Sequence, residues 1–211
     1  MPDRPDRYAT AGAFRRALED RLKTRALGSG MDLARLRRLV AFDRLLARLF
    51  SDPAAPWVVK GGFAFEIRYH KESRATKDID LTIPNAQDIR RLHEQIQLAA
   101  ARELDDFFVV AVGVPQKMFE APPEGGARFP VEVRLDGRKF TSFHLDVGLG
   151  DVLIGPPERI RGEEFLSFAG IEPANIAVIP IPQQFAEKIH AYTLPRQGQP
   201  NTRVKDLVDL V

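Results

Sequence analysis

The chain contains no cysteine, which excludes disulfides, thiolate metal centres and a cysteine nucleophile. Any metal ion would have to be held by oxygen or imidazole. Long apolar runs are also missing. The longest, Phe107 to Val112, falls far short of the roughly 20 residues that cross a bilayer. Met1 to Tyr8 is charged and carries two prolines, so neither signal peptide nor anchor is expected, no membrane is expected among the partners, and a cytoplasmic location follows. Ser29, Ser51, Ser73, Ser142 and Ser167 lack the strand-turn-helix context of a nucleophile elbow, and no Walker-type phosphate loop is present. Histidine is scarce too: His70, His93, His144 and His190 show no metal-ligand spacing. His144 alone shares a side with an acidic residue, Asp146, which it is placed to orient.

What remains is a chain of 211 residues with 44% hydrophobic and 28% charged side chains, the balance of a water-soluble globular protein. Its near-neutral net charge of +2 conceals an uneven distribution. Residues 1 to 50 carry 12 Lys/Arg against 6 Asp/Glu, leaving 19 against 23 for the rest. Such a split suits a basic segment that approaches a polyanion and a body that binds cations; the other reading is a solvated, arginine-rich helix face.

Thr10 can cap a helix over about 11–26, with Phe14, Leu18 and Leu22 on one face, ended by the glycines at 28 and 30. Asp32 caps a second helix in which Leu33, Leu36, Val40, Leu45, Leu46 and Leu49 alternate with Arg35, Arg37, Arg38, Arg44 and Arg48, predicting a basic outer face. From Trp57, which opens a core strand, the pattern turns to short strands at 57–60, 78–83, 107–112, 131–135 and 139–147, with helices over 63–69 and 86–104. Asp136-Gly137 predicts an antiparallel hairpin. Beyond Gly155 the chain is punctuated by prolines, and helices are expected over 183–194 and from Thr202 to the end. The last segment stops in mid-pattern without a cap or glycine, which predicts further helices after it. Three parts follow: basic helices over 1–50, a mixed α/β core over 51–155 and a C-terminal helical region over 156–211.

The chemistry concentrates in two places. Asp78 and Asp80 are two apart on a strand and project to the same side. At roughly 5 Å and an effective dielectric of about 20 their repulsion is about 3 kcal/mol, which a hard divalent cation such as Mg²⁺ would offset. Asp146, on a later strand, can complete a trio able to hold two ions, and is placed as general base or metal ligand near an incoming hydroxyl. Before them stands Lys60-Gly61-Gly62, a strand-to-helix turn whose amides can approach the phosphates of an NTP. Lys60, Arg74 and Lys77 are candidates for phosphate contact; the other reading is a simply exposed strand-end lysine for Lys60 and charge compensation for Arg74 and Lys77.

Four motifs in order carry a resemblance: Trp57-Val-Val-Lys-Gly-Gly-Phe-Ala-Phe-Glu-Ile-Arg68, Arg74-Ala-Thr-Lys-Asp-Ile-Asp-Leu81, Leu145-Asp-Val-Gly-Leu-Gly-Asp151 and Arg203-Val-Lys-Asp-Leu-Val-Asp-Leu210. The chain resembles the AbiEii/AbiGii toxin family of nucleotidyltransferases over nearly its whole length. The resemblance implies a mixed α/β sheet of the DNA polymerase β type, and transfer of an NMP from an NTP, with two Mg²⁺ ions, to an RNA (such as tRNA) or protein acceptor. It further implies a toxin of a toxin-antitoxin or abortive-infection system, with an antitoxin partner. On this sequence Asp78 and Asp80 match the metal pair, Gly61 and Gly62 the phosphate motif, Lys188 the helical lysine aimed at phosphates, and Asp206 the late aspartate, with Asp209 near it. Phe63 departs from the small hydroxyl residue that many relatives carry after the glycines, implying that backbone amides serve alone. Two other classes stay open: a catalytically silent binding module of the same fold, and a kinase-like phosphotransferase.

Overall fold

Two capped helices lead into the sheet. In the computed structural model, which describes residues 8–69, 73–84, 88–119 and 125–195 together with Val204 and Leu207, α1 (Ala11–Ser29) begins where the Thr10 side chain accepts the Ala13 N–H and ends at Gly30 in the left-handed region. Helix α2 (Leu33–Leu49) begins where Asp32 accepts the Arg35 N–H. Phe14, Leu18 and Leu22 are buried as their four-residue spacing requires. Phe14 lies among Tyr8, Phe107, Phe108 and Phe168 at centroid distances of 5.3 to 6.0 Å.

The expected basic outer face of α2 is largely covered: four of its five arginines are paired with carboxylates. Arg44 and Arg48 are buried, Arg35 pairs with Glu66 at 2.7 Å and Arg37 with Glu19 at 2.6 Å. Periodicity finds the apolar stripe of a helix, but it assigns the remaining face to solvent only by default. Here partner carboxylates from α1, α3 and the loop before β3 cover that face, and α2 is a central helix. It packs on the sheet through Phe42, whose ring stands 4.6 Å from Phe143 and 5.0 Å from Phe63.

After α2 come β1 (Val58–Lys60), α3 (Gly61–Tyr69), β2 (Asp78–Ile83), α4 (Ile89–Ala100), β3 (Phe108–Val112), β4 (Lys117–Phe119), β5 (Gly126–Leu135), β6 (Arg138–Leu149), β7 (Glu158–Arg161), β8 (Asn175–Val178) and α5 (Ile181–Thr193). The eight strands form one mixed sheet in the order β3-β5-β6-β2-β1-β8-β7, with β4 beside β5. One face is apolar: Ile79, Leu81, Ala127, Phe129, Leu145 and Val147 are fully buried, because alternate side chains of a strand share a face. Asp78, Asp80, Asp146 and Arg128 occupy the alternate positions.

The β5–β6 hairpin turns at Asp136 and Gly137, both with positive φ, as the primed turn favoured by Asp-Gly requires. Strand β5 starts five residues earlier than the sequence pattern predicts. Pro130 halts the pattern, yet the chain accommodates it: the Pro130 carbonyl accepts the Gly113 N–H, and its missing donor falls in the gap between β3 and β4, where no ladder is interrupted. The stretch after Gly155 also needs correction as a purely helical region. Strands β7 and β8 lie within it, and β8 joins β1 in parallel at Val59 and Val178, so the sheet continues past residue 155. The helix expected from Thr202 lies outside the described residues except for Val204 and Leu207, both helical. No described helix is long and apolar enough to cross a membrane.

Candidate active site

Register builds the site. Parallel pairing of β2 with β6 sets Asp80 beside Asp146 and Asp78 beside His144. Antiparallel pairing of β1 with β2 brings Lys60 opposite Asp80, and pairing of β5 with β6 brings Arg128 opposite Asp146. Lys60, Asp78, Asp80, Arg128 and Asp146 line a cleft of about 740 Å³ together with Gly61, Gly62, Arg74, Thr76, Lys77, Glu187 and Lys188. The three aspartates expected from the sequence therefore converge.

Their charges are crowded. Burial, Asp146 and Asp78 push the Asp80 carboxyl up from 3.8 to about 6, against the opposing pull of Lys60 and a hydrogen bond from the Gly62 N–H. That hydrogen bond gives the glycines an immediate role. Gly61 has φ +65°, and a Cβ there would stand 2.1 Å from Asp80 Oδ2, so only glycine lets the carboxylate reach the first amides of α3. A Cβ on Gly62 would stand 2.6 Å from Thr76 Oγ1.

Arg128, which the sequence pattern leaves unread because Pro130 masks its strand, is the principal counter-charge. Its Nε lies 2.7 Å from Asp146 Oδ1 and its Nη2 lies 2.6 Å from Asp146 Oδ2, a two-pronged pair. The same Nη2 is 3.5 Å from Asp78 Oδ2. Asp146, Asp78 and Asp80 raise the already high Arg128 value further. Among the described residues no three acidic or imidazole side chains stand ready to hold a metal ion; the guanidinium engages the third carboxylate instead. The donor set nevertheless fits a hard cation. It is all oxygen, and burial together with the neighbouring Asp146 and Asp78 holds Asp80 high.

The other candidates take definite places. Lys60 ion-pairs with Asp151 beside Gly148, so its charge is directed to the end of β6. Lys77 is exposed at the cleft rim. Lys188 is buried on α5, with Nζ 5.3 Å from the Phe65 ring centroid. His144 pairs with Asp78, its Nδ1 3.4 Å from Oδ1, rather than orienting Asp146: residues side by side on neighbouring strands are closer than residues two apart on one strand. Asp206, with Arg203, Lys205 and Asp209, lies outside the described residues. Phe63 is buried against Phe42, and the hydroxyl nearest the glycines is that of Thr76. The loop carrying it is anchored by buried Glu66, which accepts the Thr76 N–H at 2.9 Å while Arg35 Nη2 holds its other oxygen at 2.7 Å. Neither Thr76 nor Glu66 carries a sequence signal that periodicity could reveal.

Similarity to known proteins bears on the family and the fold. Residues 44–211 match the family described as nucleotidyl transferase AbiEii toxin, type IV TA system. No curated protein matches the chain in sequence. Among solved structures, MenT4, a nucleotidyltransferase toxin from Mycobacterium tuberculosis H37Rv, superposes with a TM-score of 0.65 at 19% identity, over 91% of this chain and 62% of that one. JHP933 from Helicobacter pylori gives 0.46 at 14% identity, over 82% of this chain and 62% of its own. The chain thus spans about three fifths of the length of either. The MenT4 likeness establishes the nucleotidyltransferase fold, and the family match covers every described element from the C-terminal end of α2 onward. The chain belongs to the AbiEii family of nucleotidyltransferase toxins of type IV toxin-antitoxin systems.

Proposed function

We propose that the protein transfers a nucleoside monophosphate from an NTP to an RNA, such as tRNA, or to a protein, and does so as a toxin opposed by an antitoxin partner in the cytoplasm. The observation that carries this reading is the convergence of Asp78, Asp80 and Asp146 beside the Gly61-Gly62 turn on one cleft. Asp78, Asp80 and Asp146 would hold Mg²⁺. When bound, the metal supplies Lewis-acid stabilisation of charge on the phosphates and on the attacking oxygen. Lys188 contributes a positive charge from the cleft wall for the triphosphate. Arg74 and Lys77 contribute charge at the rim, where an acceptor backbone would pass; α2, with Arg35, Arg37, Arg44 and Arg48 paired, is not part of that surface. Asp146 is the carboxylate best placed to accept the proton of an acceptor hydroxyl once Arg128 no longer holds it.

The test is incubation with each α-labelled NTP, Mg²⁺ and total RNA or protein. Label should enter one macromolecular class and vanish with Asp80→Asn. Equal labelling by the variant would overturn the assignment, and transfer of γ-label instead would indicate a kinase-like reaction. One observation favours a second reading, a silent module of the same fold: the Arg128 fork on Asp146. Absence of label with every NTP and acceptor class would support it.

A further inference from the structure

We infer that Arg128 is a resident counter-ion that competes with the divalent cation for Asp146, so that the metal centre assembles only when the guanidinium leaves the carboxylate. This rests on the metal-dependent reading above and adds to it a residue that decides how tightly the centre binds. Both oxygens of Asp146 receive an Arg128 nitrogen, at 2.7 and 2.6 Å, and Asp78 is 3.5 Å from the same group. A doubly charged ion drawn to these oxygens would meet the guanidinium charge directly. Arginine keeps its proton across the accessible pH range, so the obstacle can leave only by moving.

The surroundings allow that movement. The Arg128 side chain is 33% exposed at the mouth of an open cleft, so it can swing into water or toward an incoming anion without disturbing the apolar face of the sheet. Neighbouring charged groups have contacts of their own. Lys60 already engages Asp151, and His144 stands against Asp78. Arg128 therefore neutralises one of three crowded carboxylates while the centre is empty of metal, and a freed guanidinium would lie beside the phosphates that the metal brings.

Calorimetric titration of the nucleotide-free protein with Mn²⁺, at about pH 8 where carboxylates are ionised, tests this without any turnover. Arg128→Ala should bind Mn²⁺ on the order of tenfold more tightly than the unaltered protein, as removal of a charge-assisted bidentate partner predicts. Arg128→Lys, which keeps the charge and loses the fork, should fall between them. In an Asp146→Asn background the Arg128→Ala gain should disappear, since the two substitutions act on one interaction. Circular dichroism and a melting curve establish that each variant is folded, and Arg128→Gln serves in place of a variant that is not. Equal or weaker Mn²⁺ binding by folded Arg128→Ala would overturn the inference. No Mn²⁺ binding by either protein, with or without NTP, would instead overturn the metal-dependent reading on which it rests.

Discussion

Arginine meets aspartate in two regions of this molecule, with opposite consequences. Behind the sheet, Arg44 and Arg48 of α2 face Asp43 and Asp106. Two charges of each sign balance, and all four residues are buried. Arg48 makes bonds of 2.8 and 2.7 Å to the two oxygens of Asp106 and another of 2.7 Å to the Phe108 carbonyl. Arg44 donates to Asp43 and, at 2.7 Å, to the Glu172 carbonyl. Asp43 also accepts the Ala174 N–H at 2.8 Å. Burial raises the Asp43 carboxyl and Arg44 opposes that rise. On the other face, Arg128 pairs with two of three aspartates at the mouth of a cleft. The first assembly is complete as it stands. The second crowds three carboxylates together, and burial with Asp146 and Asp78 raises Asp80. A closed ion cluster fastens elements together, whereas a crowded, open one selects a ligand.

The largest expected effect separates these roles. Arg48→Ala would remove the two-pronged partner of Asp106, leaving it Arg44 at 3.5 Å and the Phe108 N–H, and would loosen the tie between α2 and the loop before β3, where Asp105 and Phe107 are both held at positive φ. Loss of one partner from such a buried pair costs about 3 to 5 kcal/mol. Urea denaturation should show a drop of that size. A drop under about 1 kcal/mol, the level of an exposed pair, would place the cluster with surface salt bridges and erase the contrast.

Asp80→Asn should do the reverse, abolishing transfer while stabilising the fold. The folded carboxyl, at about 6, lies above its unfolded value of 3.8, so the folded state binds more protons between those limits and stability falls as pH rises through them. Above about pH 6 the full penalty applies, about 3 kcal/mol at 1.4 kcal/mol for each unit. Melting curves from pH 4 to 8 should show a decline for the parent that is flattened in Asp80→Asn, with the variant more stable at neutral pH. A variant no more stable than the parent at pH 7 would mean that the carboxylates are not crowded.

Much of this architecture could be read from local pattern. Thr10 and Asp32 cap because they precede apolar periodicity, Asp136-Gly137 turns because few dipeptides accept two positive φ values, and Asp78-Ile79-Asp80 declares its geometry through a period of two. What stayed hidden depends on partners distant in sequence. Arg128 matters only because β5 lies beside β6. The four-residue strands β7 and β8, set among prolines, exist because β1 offers β8 a parallel edge. Arg35, Arg37 and Arg48 of α2 looked like a solvent face because the carboxylates that claim them, Glu66, Glu19 and Asp106, lie in three other segments. In the cleft, the aspartates were legible and their counter-charge was not.

The smallest expected effect on stability tests how far the ligand-selecting character of the open region extends beyond its charges. Thr76 is buried, yet no hydrogen bond joins its hydroxyl to another described residue, whereas the polar atoms of Arg48 and Asp106 behind the sheet are thoroughly engaged. Thr76→Val keeps the branched shape and leaves no protein partner stranded, so the fold should lose no more than about 0.5 kcal/mol. If the hydroxyl serves a phosphate at the start of α3, as its position against Gly62 suggests, a fluorescent NTP analogue should bind on the order of tenfold more weakly to Thr76→Val and nearly normally to Thr76→Ser. Equal affinity across all three proteins would reduce Thr76 to a wall of the cleft. Phosphate recognition at the turn would then fall to backbone amides, the role that Phe63 in the usual hydroxyl position implies.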